Sequence, residues 1–194
     1  MVASPSLAAA CGGAPREGCR RGVRVLTIGH GTRPADELVA CLQEAGTRTL
    51  VDVRRFPGSR RNPQFGQAAL LETLQASGIE YRHEVELGGR LSGEPGEERF
   101  GCIRVAAFRS YAARMASSDW QAALARALAA PAPCLMCAET AWQRCHRRLI
   151  SDLLVARGHD VVHLMRPHEY ERHRLFDESE IREGKLYLCG ALVA

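Results

Sequence analysis

From Val23 onward, short β-branched runs alternate with stretches whose apolar positions recur at helical spacing. The runs predict strands at 23–28 (VRVLTI), 48–53 (RTLVDV), 79–83 (IEYRH), 133–137 (PCLMC) and 159–164 (HDVVHL). The helical stretches fall between them, at about 34–45, 66–77, 105–115, 118–129 and 141–157. Strands joined through helices pair in parallel. The expected fold is therefore α/β: a mostly parallel five-stranded sheet with helices on both faces, a Rossmann-like three-layer sandwich. Residues 86–104 are too rich in glycine and charge for regular structure, and a loop of that length in a compact domain serves as a lid or binding loop. The expected organisation is a disordered Ala/Gly/Pro/Ser-rich leader over 1–22, one domain over 23–167, and an extension over 168–194 ending in the strand-like LYLCGALV.

Composition narrows the class. With 194 residues, 46% of them hydrophobic, the chain has room for one core and little more. A mean hydropathy of -0.19, with no apolar run near the roughly 20 residues a bilayer needs, excludes a transmembrane helix. The N-terminus lacks the basic and apolar regions of a signal peptide. Eight irregularly spaced cysteines read as reduced thiols in a cytoplasmic protein. The net charge is +4, from 25 Arg and the single Lys185 against 22 acids. Four of those arginines and no acid fall within 54–66 (RRFPGSRRNPQFG), which marks a candidate anion-binding loop.

In open parallel sheets, ligands bind beyond the carboxyl ends of the strands. Each predicted strand delivers an ionisable or thiol side chain there: His30 after the first, Asp52 and Arg54 at the second, Tyr81 and His83 at the third, Cys137 and Glu139 at the fourth, His163 at the fifth. These ends predict one pocket shared by His30, Asp52, His83, Cys137 and Glu139. In CLMCAETAWQRCHRRL (134–149), Thr140 to Gln143 matches a capping box, so a helix is expected from 141 with its N-terminal amides towards Cys137 and Glu139, an environment that favours an anion. Cys145, His146 and Arg147 then fall in its second turn. Cys134 and Cys137 stand at odd spacing in a strand, hence on opposite faces, which argues against a redox or zinc pair. The six residues between Cys137 and Arg144 are one too many for the Cys-x5-Arg phosphate loop of cysteine phosphatases. CAETAWQRC also lacks the short cysteine-centred loop of rhodaneses.

The blocks TIGHGTRPADELVACL, LVDVRRFPGSRRNPQF, GIEYRHEVELGGR and LMCAETAWQRCHRRLI with VVHLMRP resemble, in order and over residues 25 to about 167, the DUF488 family of uncharacterised proteins. The resemblance rests on Thr27-Ile28-Gly29-His30, on Asp52-Val53-Arg54 with Pro57, Ser59, Arg60, Asn62 and Phe65, on Leu87-Gly88-Gly89, and on Cys137-Ala138-Glu139 with Cys145-His146-Arg147. It implies a small α/β domain and a cytoplasmic location, and supplies no reaction.

The residues themselves point to a hydrolase or transferase acting on a phosphate-bearing substrate, a nucleotide or nucleic acid. Arg54, Arg60, Arg61 and Arg147 offer guanidinium forks for phosphate, with Ser59 and Asn62 as neutral donors. Phe65, Tyr81 and Trp142 are candidates to stack a base. Asp52 and Glu139 are a candidate carboxylate pair, one ionised and one protonated. His30 or His146 would move the proton, and Cys137 is either a nucleophile or a small buried apolar residue. Asp52→Asn would then remove activity and leave folding intact. No cofactor is called for. Two alternatives stay open: a thiol or metal site, zinc or ferrous iron, on Cys137, Cys145 and His146 with His30, and a non-catalytic nucleic-acid binder using the arginine loop with Arg144, Arg147 and Arg148. No membrane partner is expected.

Overall fold

The computed structural model describes residues 22–58 and 61–194. The expected leader up to residue 21, and Ser59 and Arg60 of the arginine loop, lie outside the described residues.

The main sheet is built from β1 (Arg24–Gly29), β2 (Thr49–Asp52), β3 (Glu80–His83), β4 (Pro133–Cys137), β5 (Asp160–Arg166) and β6 (Glu169–Arg172), in the order β3-β2-β4-β1-β5-β6. The first five run parallel, and β6 folds back antiparallel on β5. The five expected strands are thus corrected to six. The added strand, EYER, carries one apolar residue in four, so no alternation marks it in the sequence.

Five helices cover the sheet: α1 (Ala35–Glu44), α2 (Gln67–Ala76), α3 (Ala106–Arg114), α4 (Ser118–Ala129) and α5 (Arg147–Ala156). Side chains alternate across each strand and so enter two different cores. Leu26, Ile28, Leu50, Cys134 and Met136 meet Leu38, Leu42, Leu70 and Leu74 of α1 and α2. Val25, Val51, Leu135, Cys137 and Val161 meet Tyr111, Leu124, Leu149 and Leu153 of α3, α4 and α5. Cys134 and Cys137 do lie on opposite faces, as their spacing requires.

The helix expected from 141 begins at Arg147 instead. Trp142–Arg144 form a single 3-10 turn, and Cys145 is extended (φ -119, ψ 151). The local capping signal at Thr140 loses to a tertiary contact: the Trp142 ring stacks on His163 at 4.3 Å and its indole N–H donates to Glu171. Cys145 and His146 consequently precede the helix rather than lie in its second turn.

The extension supplies β6 and a second, antiparallel sheet of β7 (Ser179–Arg182), β8 (Lys185–Leu188) and β9 (Ala191–Leu192). Leu186, Leu188 and Val193 bury against the α3–α5 core. Segment 86–104 is a fixed wall, with Leu91, Phe100 and Ile103 in that same core. A disulfide between Cys102 and Cys189 ties the wall to the second sheet. Reduced thiols were expected throughout; this pair corrects the expectation and removes its share of the ground for a cytoplasmic location, while Cys41, Cys134, Cys137 and Cys145 are free. No helix among the described residues is long and apolar enough to cross a membrane.

The disulfide closes a long loop, so Cys102→Ser is expected to cost about 2–4 kcal/mol, read as a lower Tm by calorimetry. An unchanged Tm, with both cysteines open to alkylation in the unreduced wild type, contradicts the link.

Candidate functional site

A cavity of about 530 Å³ opens where β2 and β4 end. Arg54, Arg55 and Phe56 follow β2 into its wall, and Cys137, Ala138 and Glu139 close the end of β4. Gly89 and Arg90 come from the fixed wall segment, Val105 and Phe108 from the start of α3, and Gln143 to His146 with Arg148 from the approach to α5. Five arginines and one carboxylate, Glu139, line it.

Beneath the cavity lies Arg147, 1% exposed. Its Nε donates to Cys137 Sγ at 3.0 Å, Nη1 to Thr27 Oγ1 at 3.1 Å, and Nη2 to the Glu139 carbonyl at 2.5 Å. Among the described residues no carboxylate pairs with it; the groups that hold its charge are the Cys137 and Cys145 sulfurs. The Arg147 backbone N–H, at the start of α5, donates to Cys145 Sγ at 3.5 Å, and the Cys137 thiol, which donates to the Glu139 carbonyl at 3.9 Å, is a neighbour of the same sulfur. Burial is the largest influence on Cys145 and would raise its pKa. The neighbouring Cys137 thiol and the Arg147 charge and N–H outweigh it and bring the thiol down to about 6. Cys137 goes the other way, pushed well up by burial. Of the two sulfurs, Cys145 is the one its surroundings favour as a thiolate.

His146 donates from Nε2 to the Val53 carbonyl at 3.1 Å, which leaves Nδ1 turned to Cys145 Sγ at 3.5 Å. Burial lowers the imidazole pKa, so Nδ1 is a proton acceptor matched to the thiol. Gly89 permits this packing, since a Cβ there would come within 2.7 Å of Nδ1.

A buried chain of hydrogen bonds leads away from Arg147. Thr27 Oγ1 lies 2.6 Å from His163 Nδ1, His163 Nε2 lies 3.0 Å from His173 Nδ1, and His173 Nε2 lies 2.7 Å from Asp152. A guanidinium only donates and a carboxylate only accepts, so Arg147 donates to Thr27 at one end of the chain and His173 donates to Asp152 at the other. Burial, with the neighbouring His173 and Arg147, drives His163 down to about 2.

The residues expected to share the pocket divide into two groups. Cys137 and Glu139 reach the cavity; His30, Asp52 and His83 do not line it. Asp52 is fully buried, with Arg54 Nε at 2.8 Å, Arg54 Nη2 at 2.5 Å and the Tyr81 hydroxyl at 2.9 Å on its carboxylate. Its carboxylate is taken up by Arg54 and Tyr81 and does not line the cavity with Glu139, so the two carboxylates expected as a pair are not brought together there. His30 donates from Nδ1 to the Gly31 carbonyl, accepts from Arg54 at Nε2 and stacks on Phe65 at 4.4 Å, and burial lowers its pKa to about 4. His83 donates to the Arg54 carbonyl at 2.8 Å. Phe65 is core, Tyr81 serves Asp52 and Trp142 serves His163, so none of the three stands as a base-stacking ring in the cavity. Arg61 and Asn62 are off its wall, and Arg147 is too enclosed to meet a phosphate. The residues missed by sequence reasoning are Arg55, Arg90, Phe56 and Phe108 on the wall, and Asp152 and His173 behind it.

No three His, Cys, Asp or Glu side chains gather for a metal ion among the described residues. The guanidinium on Cys137 Sγ takes the position that a cation bridging the two sulfurs needs, which disfavours the expected Cys137, Cys145 and His146 metal set.

The profile of the family described as "Domain of unknown function DUF488" matches residues 34–154. No curated protein and no solved structure matches the chain.

Asp52→Asn leaves Arg54 buried without its counter-charge and is expected to destabilise by about 3–5 kcal/mol in chemical denaturation; a loss below about 1 kcal/mol contradicts the structural assignment. The neutral histidines set the acid side of stability. Unfolded His30 and His163 take up protons near 6.5, folded His30 only near about 4 and His163 near about 2. Their contribution is whole above 6.5 and falls as pH drops below it, because the unfolded state binds more protons there. Tm is expected to fall through that window, less steeply in His163→Asn; identical slopes contradict this.

Proposed function

The chain belongs to the DUF488 family, and we propose that it is a hydrolase or transferase acting on a phosphate-bearing substrate, a nucleotide first of all, with Cys145 as nucleophile. The observation that carries this reading is a thiol, in contact with the Arg147 N–H and His146 Nδ1, lining an arginine-rich cavity at the strand ends. Asp52 neutralises Arg54, which leaves Arg55, Arg90, Arg144 and Arg148 to meet an anion. Arg148 Nε is a buried donor with no partner among the described residues, a further opening for a phosphate oxygen. Phe56 and Phe108, with Val105, give the cavity the apolar faces that a base stacks on. The volume suits a nucleotide or the end of a nucleic-acid strand. A Rossmann-like reading of the sheet, in which ligands lie beyond the carboxyl ends, accords with the same placement.

In this reading the Cys145 thiol loses its proton to His146 Nδ1, and the resulting thiolate attacks the electrophilic carbon or phosphorus next to the bound phosphate. Glu139, exposed at the rim, protonates the leaving group and then deprotonates the water or acceptor that releases the covalent intermediate. The strand-end carboxylates divide their work: Glu139 reacts, and Asp52 holds Arg54 in place.

Calorimetric titration of the reduced protein with adenosine diphosphate and with pyrophosphate tests this. Saturable binding is expected, weakened about tenfold or more by Arg144→Ala through the loss of a charge-assisted contact. Cys145→Ser is expected to keep binding. Absence of binding, or binding indifferent to Arg144, overturns the reading.

A further inference from the structure

We propose that Cys137 and Cys145 form a redox pair, in which a hydroperoxide entering the cavity oxidises the Cys145 sulfur and Cys137 then closes an intramolecular disulfide that switches the site off reversibly. The inference rests on Cys145 as the nucleophile and needs nothing from phosphate binding.

The geometry is particular to these two thiols. Both line the cavity. Each sulfur is also held by Arg147, Cys137 by Nε at 3.0 Å and Cys145 by the backbone N–H at 3.5 Å. They come from different elements, the end of β4 and the residues before α5, and both sulfurs contact the one arginine. The other two free thiols of the described residues, Cys41 and Cys134, are buried in the core on the opposite face of the sheet. Cys102 and Cys189 are already joined.

The chemistry balances without a further cofactor. The Cys145 sulfur attacks one peroxide oxygen, the O–O bond breaks, and the alkoxide or hydroxide leaves and takes up a proton, giving a sulfenic acid. The Cys137 sulfur attacks that sulfenic sulfur, the S–O bond breaks, and hydroxide departs with the Cys137 proton as water. The two thiols supply two electrons, and the peroxide ends as an alcohol and water. An external thiol restores the pair. While the disulfide stands, Cys145 is no longer a nucleophile.

The test treats the reduced protein with stoichiometric hydrogen peroxide, blocks remaining thiols by alkylation and maps peptides by mass spectrometry. A Cys137–Cys145 disulfide that dithiothreitol reverses is expected in the wild type. Cys137→Ser is expected to accumulate a dimedone-trapped sulfenic acid on Cys145 and then sulfinic acid; Cys145→Ser is expected to leave Cys137 reduced. If either variant fails to fold by circular dichroism, the wild-type map decides alone. Cys145 passing to sulfinic acid with Cys137 still open to alkylation, or neither thiol reacting, overturns the proposal. Nucleotide titration of the same reduced sample separates the two readings: binding without pairing removes the redox pair, and pairing without binding removes the substrate.

Discussion

A guanidinium buried with no carboxylate partner among the described residues governs this molecule. Desolvating such a charge costs several kcal/mol unless its surroundings answer it. Around Arg147 they do so with a threonine hydroxyl, two loop carbonyls and two sulfurs rather than with an acid. The consequence is chemical: a thiol beside an uncompensated positive charge is the group most readily ionised to balance it, and Cys145 is placed there at the head of α5, where the first helical N–H adds to the effect. The backbone bends to the same requirement. Gly29 must be glycine because a Cβ would meet the Glu139 carbonyl at 1.8 Å and Arg147 Nη2 at 2.7 Å.

The same charge explains why the C-terminal extension belongs to the domain. Hydrogen bonds through Thr27, His163 and His173 join Arg147 to the fully buried carboxylate of Asp152, which also accepts from the Phe176 N–H and the Ser179 hydroxyl. Trp142 lies on both imidazoles of this chain. The loop that carries Cys145 is thereby pinned by residues beyond 168, so the extension positions the site without touching its cavity.

Much of the fold was legible because strands buried on both faces read as short continuous apolar runs and helices with one buried face keep their spacing; the five parallel strands, the five helices and the opposed faces of Cys134 and Cys137 are marked in this way. What failed was whatever depends on contacts between distant segments. EYER shows no alternation, the capping box at Thr140 yields to the stacking of Trp142, and Cys102 finds Cys189 across a separation of 87 residues. The site was legible in its segments and not in its roles. Every strand end does carry chemistry, yet only some of it faces the cavity. One signal was present: Asp52 and Arg54, two apart along an extended chain, point to the same side, and such a pair neutralises itself before any substrate arrives. Of the cavity arginines, Arg55 stood inside the arginine-rich segment 54–66, whereas Arg90 had no comparable mark.

The pH dependence of Cys145 ionisation bears most directly on the whole picture. It is read as the rate of alkylation by iodoacetamide in the wild type, with Cys145→Ser as the blank. A midpoint at about 6 is expected, two or more units below an ordinary thiol. A midpoint at or above about 8.5 would mean that Arg147 is balanced by something other than this sulfur, and the thiolate chemistry would fall with it.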